Sequence, residues 1–331
     1  MKLNATYIKI RDKWWGLPLF LPSLILPIFA HINTFAHISS GEVFLFYLPL
    51  ALMISMMMFF SWAALPGIAL GIFVRKYAEL GFYETLSLTA NFIIIIILCW
   101  GGYRVFTPRR NNVSHGDSRL ISQRLFWQIV FPATLFLILF QFAAFVGLLA
   151  SRENLVGVMP FNLGTLINYQ ALLVGNLIGV PLCYFIIRVV RNPFYLRSYY
   201  SQLKQQVDAK VTKKEFAIWL LALGALLLLL CMPLNEKSTI FSTNYTLSLL
   251  LPLMMWGAMR YGYKLISLLW AVVLMISIHS YQNYIPIYPG YTTQLTITSS
   301  SYLVFSFIVN YMAVLATRQR AVVRRIQRLA Y

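Results

Sequence analysis

Charged residues are scarce in this sequence. Only 11% of its 331 residues are Asp, Glu, Lys or Arg, whereas 60% are hydrophobic. A soluble domain carries roughly a quarter charged residues, and the stretches 92–100 and 220–231 contain no charge at all. This composition excludes an ordinary soluble protein. It predicts an all-α, polytopic integral membrane protein, because a chain in lipid must satisfy its own backbone hydrogen bonds.

Acidic residues are the rarest charged type, with nine Asp and Glu against 27 Lys and Arg. In a soluble protein this basic excess would suggest a nucleic-acid partner. In a membrane protein the enrichment of cytoplasmic loops in Lys and Arg explains it, so we expect no nucleic-acid partner. No apolar segment has a carboxylate near its middle, which disfavours a proton-coupled or sodium-coupled transporter.

Cysteine is also rare, and the usual catalytic motifs are missing. Cys99, Cys183 and Cys231 lie far apart inside apolar runs, so they predict neither a disulfide framework nor a zinc site. The sequence has no G-x-S-x-G, P-loop, H-E-x-x-H or C-x-x-C pattern, and its four histidines match no metal-binding spacing. We therefore expect no catalytic residue, metal or cofactor in this chain.

Apolar segments are what the sequence does contain, and they predict about ten transmembrane helices, with a range of eight to ten. The third segment is short for a span, which needs about 20 residues. The segments are Gly16–Phe35, Val43–Phe60, Trp62–Phe73, Leu86–Tyr103, Leu125–Leu149, Thr165–Ile187, Phe216–Leu234, Tyr245–Met259, Tyr263–Tyr281 and Ser301–Thr317.

The distribution of positive charge predicts the topology. With ten spans and a cytoplasmic N-terminus, the outer side keeps only four of the 27 cations, namely Arg75, Lys76, Arg152 and Lys237. Omitting the third segment would place the basic loop 104–124 outside, against the rule that cytoplasmic loops are rich in Lys and Arg. We therefore expect the short segment to cross the bilayer of a bacterial inner membrane, with both termini in the cytoplasm.

Five residues are candidates for sensing a ligand. Glu42 lies at the outer edge of the second segment, either as a solvated interfacial acid or as part of an outward-facing pocket. Asn91 and Asn176 lie within spans, where amides either bond across helices or line a binding cavity. Trp256 and Arg260 lie at the inner end of the eighth segment.

The last fourteen residues, RQRAVVRRIQRLAY, carry five arginines and no acid. Val322, Ile326 and Leu329 follow the four-then-three spacing of a coiled-coil seam, which predicts a homodimer through this helix and a role in signal coupling. A helix lying on the membrane surface is the alternative. We expect residues 1–317 to form the membrane domain and residues 318–331 a cytoplasmic linker to an output domain outside this chain.

Three local patterns carry a resemblance to a known family. They are Leu-Pro-Gly-Ile-Ala-Leu at 65–70, Gly175 followed by Val-Pro-Leu at 180–182, and Pro-Leu-Met-Met-Trp-Gly-Ala-Met-Arg-Tyr-Gly at 252–262. In this order they resemble the MASE family of bacterial membrane-associated sensor domains, first type. The final Arg-Leu-Ala-Tyr at 328–331 is similar to the helix end that precedes GGDEF domains.

The resemblance implies a sensory and regulatory module of cyclic-di-GMP turnover. It is similar to the N-terminal membrane region of an enterobacterial cyclic-di-GMP phosphodiesterase, in which an EAL domain with a divalent metal, Mg or Mn, hydrolyses cyclic-di-GMP to pGpG. The implied partners are the lipid bilayer and an unidentified small-molecule or protein stimulus. A stand-alone ten-span transporter or lipid-handling protein is the alternative, and a membrane scaffold is a third.

Overall fold

The structure is a computed structural model that describes residues 13–38, 43–106, 129–145, 163–192, 194–208, 211–231, 243–282 and 291–329. The chain divides into two compact units, residues 1–187 and residues 188–331. Secondary structure in the described residues is almost entirely α-helical, because long apolar runs in lipid have no other way to pair their backbone groups.

The described residues of unit 1 form five complete helices, most of a sixth and a two-stranded antiparallel sheet in which His37 pairs with Phe44. A four-residue 3-10 turn at Ser61–Ala64 separates the second helix from the third. The elements are α1 (Leu17–Thr34), β1 (His37–Ile38), β2 (Val43–Phe44), α2 (Leu48–Phe60), α3 (Leu65–Leu80), α4 (Phe82–Phe106), α5 (Phe131–Phe145) and α6 (Leu163–Arg191).

In unit 2, the part of the chain that the structure describes forms a short polar helix and four longer ones. The last of these is 39 residues long, so the predicted tenth segment covers only its middle. The elements are α7 (Tyr195–Gln206), α8 (Lys213–Cys231), α9 (Thr243–Tyr261), α10 (Tyr263–Gln282) and α11 (Tyr291–Leu329).

Seven helical stretches among the described residues are long and apolar enough to cross a membrane, and one of them is the run 48–80. The predicted all-α, polytopic membrane class is therefore confirmed. The count of ten spans stays a prediction. The eighth predicted segment, α9, is not among the seven, and the described part of the fifth is a shorter apolar helix over 131–142.

The run 48–80 is a helical hairpin that reverses at Ser61, whose φ of 52° lies in the left-handed region. The Leu48 amide at the start of α2 donates to Asn33 Oδ1 near the end of α1, over 3.2 Å. At the start of α3, a Cβ on Gly67 would lie 2.5 Å from the Leu19 carbonyl oxygen, near the start of α1. Consequently α3 runs parallel to α1, and α2 runs opposite to both.

Two glycines let α6 approach the chain that leads into α2. A Cβ on Gly175 would lie 2.1 Å from the Tyr47 carbonyl oxygen, and one on Gly179 would lie 2.5 Å from the Ala51 Cβ. The Tyr47 amide also donates to the Ala171 carbonyl over 3.1 Å. This contact is backbone against helix, a closeness that small residues make possible in membrane proteins.

In unit 2, α10 and α11 share buried polar contacts along their length. Trp270 Nε1 donates to Ser306 Oγ over 3.0 Å, and the hydroxyls of Ser277 and Tyr302 lie 2.9 Å apart. Such pairs satisfy polar groups where lipid offers no partner. Helix α11 begins ten residues before the apolar segment predicted for it, and Thr298 and Ser299 in this added part are buried.

Candidate functional site

Unit 1 contains three buried asparagines, Asn33, Asn168 and Asn176, which are 4%, 4% and 0% exposed. Asn33 supplies the acceptor at the start of α2. Asn168 Oδ1 accepts from the Phe44 amide over 3.0 Å. These two side chains thus hold both ends of the extended segment that follows β2, where the backbone has no helical partners of its own.

Asn176 is the most deeply buried of the three asparagines. Its Nδ2 donates to the carbonyl of Ile129, at the turn before α5, over 3.1 Å. Its Oδ1 accepts no hydrogen bond from any residue that the structure describes. A buried acceptor without a donor costs about 1–3 kcal/mol, so this oxygen is a candidate acceptor for a donor group.

Unit 2 contains a group of polar contacts, the helix-end cluster, to which five helices, α7 to α11, contribute residues. Its members are Gln206, Asp208, Glu215, Arg260, Gly262, Lys264, Thr317, Arg320 and Arg324. Gly262, the single residue between α9 and α10, has φ +81°, and a Cβ there would lie 2.9 Å from the Gln206 Cβ. This position requires glycine both for its backbone conformation and for space.

Arg260 is held between two of the few acids in the chain. Its Nη1 lies 3.2 Å from Asp208 Oδ2, and its Nε lies 3.5 Å from Glu215 Oε1. The guanidinium carbon is 6.0 Å from the centre of the Trp256 ring. All three charged side chains are about one-third exposed, so each pair contributes at most about 1 kcal/mol to stability.

Aromatic side chains pack beside Arg260. The ring centre of Tyr261 lies 4.8 Å from Trp219 and 5.1 Å from Phe216. Trp219 Nε1 donates to the Leu253 carbonyl over 3.0 Å, and a Cβ on Gly257 would lie 2.4 Å from the Trp219 ring. The sequence Trp-Gly-Ala-Met-Arg-Tyr-Gly at 256–262 therefore serves packing as well as charge.

Helix α7 is attached to the start of α10. Tyr199 donates its hydroxyl proton to the Lys264 carbonyl over 2.8 Å, and burial raises the pKa of Tyr199 above its ordinary value. Gln206 Oε1 accepts from the Lys264 amide over 3.0 Å, and Gln202 Oε1 accepts from the Lys264 ammonium group. One face of α7 is thus fixed by three side chains.

Two arginines of α11 bind the C-terminal end of α7. Arg320 donates to the carbonyls of Gln206 and Met259. Arg324 donates to the carbonyl of Gln205 and, over 3.2 Å, to that of Val207. The last carbonyls of a helix have no partner inside it and carry partial negative charge, so cations are favoured there. Each guanidinium bridges two such carbonyls.

The structure places the predicted ligand-sensing residues at separate points of the chain. Asn91 lies half-buried on α4 and Asn176 is buried on α6. Trp256 and Arg260 lie in contact with each other on α9. Glu42 falls outside the described residues. None of these observations tests a ligand, so the sensing roles stay predictions.

The predicted coupling residues lie on the last part of α11. Val322 and Ile326 are 49% and 61% exposed. Leu329 ends the helix, and its side chain lies outside the described part of the structure. At 100° per residue this row is roughly opposite to Arg320 and Arg324, so the helix carries an arginine face and an apolar face.

Sequence reasoning missed Asp208, Glu215, Arg320 and Arg324 as site residues. Two signals could have found them. Acids are so rare in this chain that two beside a loop are informative, and two arginines four residues apart lie on one face of a helix. Among the described residues no group of three or more His, Cys, Asp or Glu could hold a metal ion.

Comparison with known proteins identifies the family. Residues 15–320 match the family model described as MASE1. The chain belongs to the MASE1 family. The resemblance seen in the sequence is thereby confirmed, and the chain is a membrane sensor domain of this family. No solved structure matches this MASE1 chain.

Two curated relatives extend beyond this MASE1 chain. It is 99% identical over 331 residues to cyclic di-GMP phosphodiesterase PdeF of Escherichia coli (strain K12), covering 100% of this chain and 44% of that protein. It is 23% identical over 305 residues to probable cyclic di-GMP phosphodiesterase PdeA of the same organism, covering 90% of this chain and 40% of that protein. The MASE1 chain thus spans less than half the length of either relative.

Proposed function

We propose that this MASE1 chain is the membrane sensory module of a cyclic-di-GMP phosphodiesterase and controls hydrolysis of cyclic-di-GMP to pGpG by an EAL domain outside the chain. The observation that carries the proposal is the 99% identity to PdeF over all 331 residues. A divalent metal, Mg or Mn, belongs in this proposal to the catalytic domain. The stimulus is a small molecule or a protein partner.

Helix α11 is the coupling element in this proposal. Its arginine face is bonded to helix ends of unit 2, and its apolar face is exposed. A stimulus that changes the arginine contacts would rotate or shift the apolar face, which is a two-state element of the kind that signalling proteins use.

The apolar face also supports a homodimer. Val322 and Ile326 are large aliphatic side chains that stand about half in contact with solvent, and a second copy of the helix would cover them in a parallel pair. The expected result is a dimer in sedimentation experiments on the detergent-solubilised chain, and a monomer for Ile326→Asp.

Membrane orientation is part of the same proposal. The parallel course of α1 and α3 supports a crossing by the short third segment, as the distribution of Lys and Arg predicts. With both termini in the cytoplasm of a bacterial inner membrane, the helix-end cluster faces the side where cyclic-di-GMP is located. Cysteine labelling of position 326 in intact and permeabilised cells tests this orientation.

The deciding experiment uses the full-length phosphodiesterase that contains this chain, reconstituted in lipid nanodiscs. Ile326→Asp places a charge in the proposed dimer seam and should change the rate of pGpG formation severalfold while membrane insertion is retained. Ala321→Asp is the matched control, because it adds the same charge to an exposed position of the same helix about 110° from the seam.

Two results would contradict the proposal. Equal rates in the wild type and in both variants would exclude coupling through the seam. Absence of cyclic-di-GMP hydrolysis in the wild type would instead favour the transporter or lipid-handling alternative, which transport assays in proteoliposomes can examine directly.

A further inference from the structure

The outward face of α7 differs from the face that holds Lys264. Leu196, Tyr200 and Lys204 follow one another at four-residue intervals and form a single row on the helix. All three are exposed, Leu196 by 51% and Tyr200 by 60%. Arg197 is exposed beside this row. We call these four residues the outer face of α7.

The orientation of the outer face is fixed. Tyr199, Gln202 and Gln206 bond the opposite side of α7 to Lys264, so the helix cannot roll to bury its apolar side chains. In the chain, α7 follows α6 and precedes α8, and both belong to the seven membrane-length helices. A 12-residue helix between two such spans is held near the membrane surface.

The chemistry of the outer face selects its partner. A leucine and a tyrosine beside two cations are typical of helices that lie in the headgroup region, with apolar groups towards the acyl chains and cations towards phosphate. The Lys204 ammonium lies 4.8 Å from the centre of the Tyr200 ring, so the aromatic ring and the charged group would lie at the same depth in the headgroup region. The outer face contains no acidic residue, which matches it to a negative headgroup.

The C-terminal end of α7 links the outer face to α11, the helix that carries the signal in the proposed function. The carbonyls of Gln205, Gln206 and Val207, the last residues of α7 and the next, accept from Arg320 and Arg324 of α11. A ligand that holds α7 in place therefore also holds the acceptors of these two arginines.

We infer that the outer face of α7 binds anionic phospholipid headgroups of the surrounding bilayer, and that this binding stabilises the arginine contacts of α11. The second half rests on the proposed function, in which α11 carries the signal. The first half is independent of it. The proportion of anionic lipid in the membrane would then determine how firmly the arginine contacts hold α11.

Lipid binding is tested on the 331-residue chain by native mass spectrometry, with phosphatidylglycerol as the probe and phosphatidylcholine as the neutral reference. The double variant Arg197→Gln/Lys204→Gln should bind phosphatidylglycerol about thirtyfold more weakly, since each cation near an anionic surface contributes about 1 kcal/mol and roughly 1.4 kcal/mol is tenfold. Binding of phosphatidylcholine should not change.

The control variant also removes two positive charges, but at the start of α8. Lys213→Gln/Lys214→Gln alters two exposed cations outside the outer face and should weaken phosphatidylglycerol binding less than about threefold. Equal losses in the two double variants would show a general effect of net charge and overturn the inference. Unchanged thermal unfolding in both variants verifies that the fold is intact.

Coupling is tested by hydrogen–deuterium exchange in nanodiscs with and without phosphatidylglycerol. In the wild type, phosphatidylglycerol should slow exchange of backbone amides at 318–329 by at least about threefold, and the Arg197→Gln/Lys204→Gln variant should lose this effect. Lipid binding without slower exchange would overturn the coupling half alone. Because neither measurement uses catalysis, both can succeed or fail whatever the phosphodiesterase assay gives.

Discussion

In unit 1, α6 meets the chain before α2 backbone against backbone, whereas in unit 2 the end of α11 is held by arginine side chains that reach helix ends. Gly175 of unit 1 touches the Tyr47 main chain, and 56% of the most apolar stretch of α6 is buried, against 17% for α8 of unit 2. Arg320 and Arg324 span two carbonyls each in unit 2. Contacts of the first kind have no room to adjust, while contacts of the second kind can exchange one acceptor for another.

This difference assigns the two units different physical properties. A backbone contact inside a packed interior is lost only when the local fold changes. A half-exposed arginine contact opens at a cost of about 1–3 kcal/mol, which is the range that a ligand can shift. Unit 2 therefore has the properties of the adjustable part and unit 1 those of the fixed part.

The largest expected effect comes from Gly175→Ala in unit 1. The added Cβ would lie 2.1 Å from a main-chain oxygen, so the backbone must move, and we expect a loss of about 3 kcal/mol or more in unfolding free energy. The matched control is Gly101→Ala, where no atom lies within 4 Å of the new Cβ. It should be neutral or stabilising by up to about 1 kcal/mol, as measured by thermal unfolding in detergent.

A smaller loss is expected for Gly257→Ala in unit 2. The new Cβ would lie 2.4 Å from the Trp219 ring, but a side chain can give way, so we expect a cost of about 2 kcal/mol. Gly224→Ala on α8, with open space around it, is the control. If Gly257→Ala cost as much as Gly175→Ala, the contrast between fixed and adjustable units would be lost.

Replacing the two arginines of α11 by lysine keeps the charge and removes the fork that spans two carbonyls. For Arg320→Lys/Arg324→Lys we expect local opening of 318–329 to become easier by about 1–2 kcal/mol, with little change in global unfolding. Hydrogen exchange reports the first quantity and thermal unfolding the second. A large loss in the free energy of global unfolding would mean that these contacts stabilise the whole fold rather than the end of α11.

The smallest effect is expected for Tyr199→Phe, which removes one hydrogen bond to the Lys264 carbonyl and should cost about 1 kcal/mol. Burial raises the pKa of Tyr199 above its ordinary value of 10.0, so the folded protein holds this proton more tightly than the unfolded chain. The stability of the wild type should therefore fall as the pH rises above about 10. Tyr199→Phe should lack this part of the fall, and parallel pH profiles would contradict the assignment.

The sequence predicts the membrane class and most helices because long apolar runs leave the backbone no alternative to a helix. It does not predict the true length of α11, because most residues just before 301 are polar, and yet Thr298 and Ser299 among them are buried. Burial of hydroxyls between helices depends on the neighbour, and periodicity within one segment carries no information about it. The reversal at Ser61, in contrast, falls at the boundary that the sequence predicts between the second and third segments, Val43–Phe60 and Trp62–Phe73.

The helix-end cluster shows the same division. Trp256 and Arg260 stand out in a short pattern, and the structure brings them together. Asp208 lies in the loop after α7 and Glu215 lies on α8, and both pair with Arg260. Only the fold reveals this pairing. The acceptors of Arg320 are main-chain carbonyls, which every residue has and which no sequence pattern distinguishes.

The 39 residues of α11 form one uninterrupted helix, about 58 Å long against a hydrocarbon layer of about 30 Å. A continuous helix of this kind fixes the rotation, about the helix axis, of any domain attached to its end. One residue inserted after 329 would turn the attached part by about 100°, whereas seven would return it to within about 20° of its first position. In the proposed function, the number of residues that follow 329 should therefore affect signalling periodically, so that the length of the linker matters as much as its sequence.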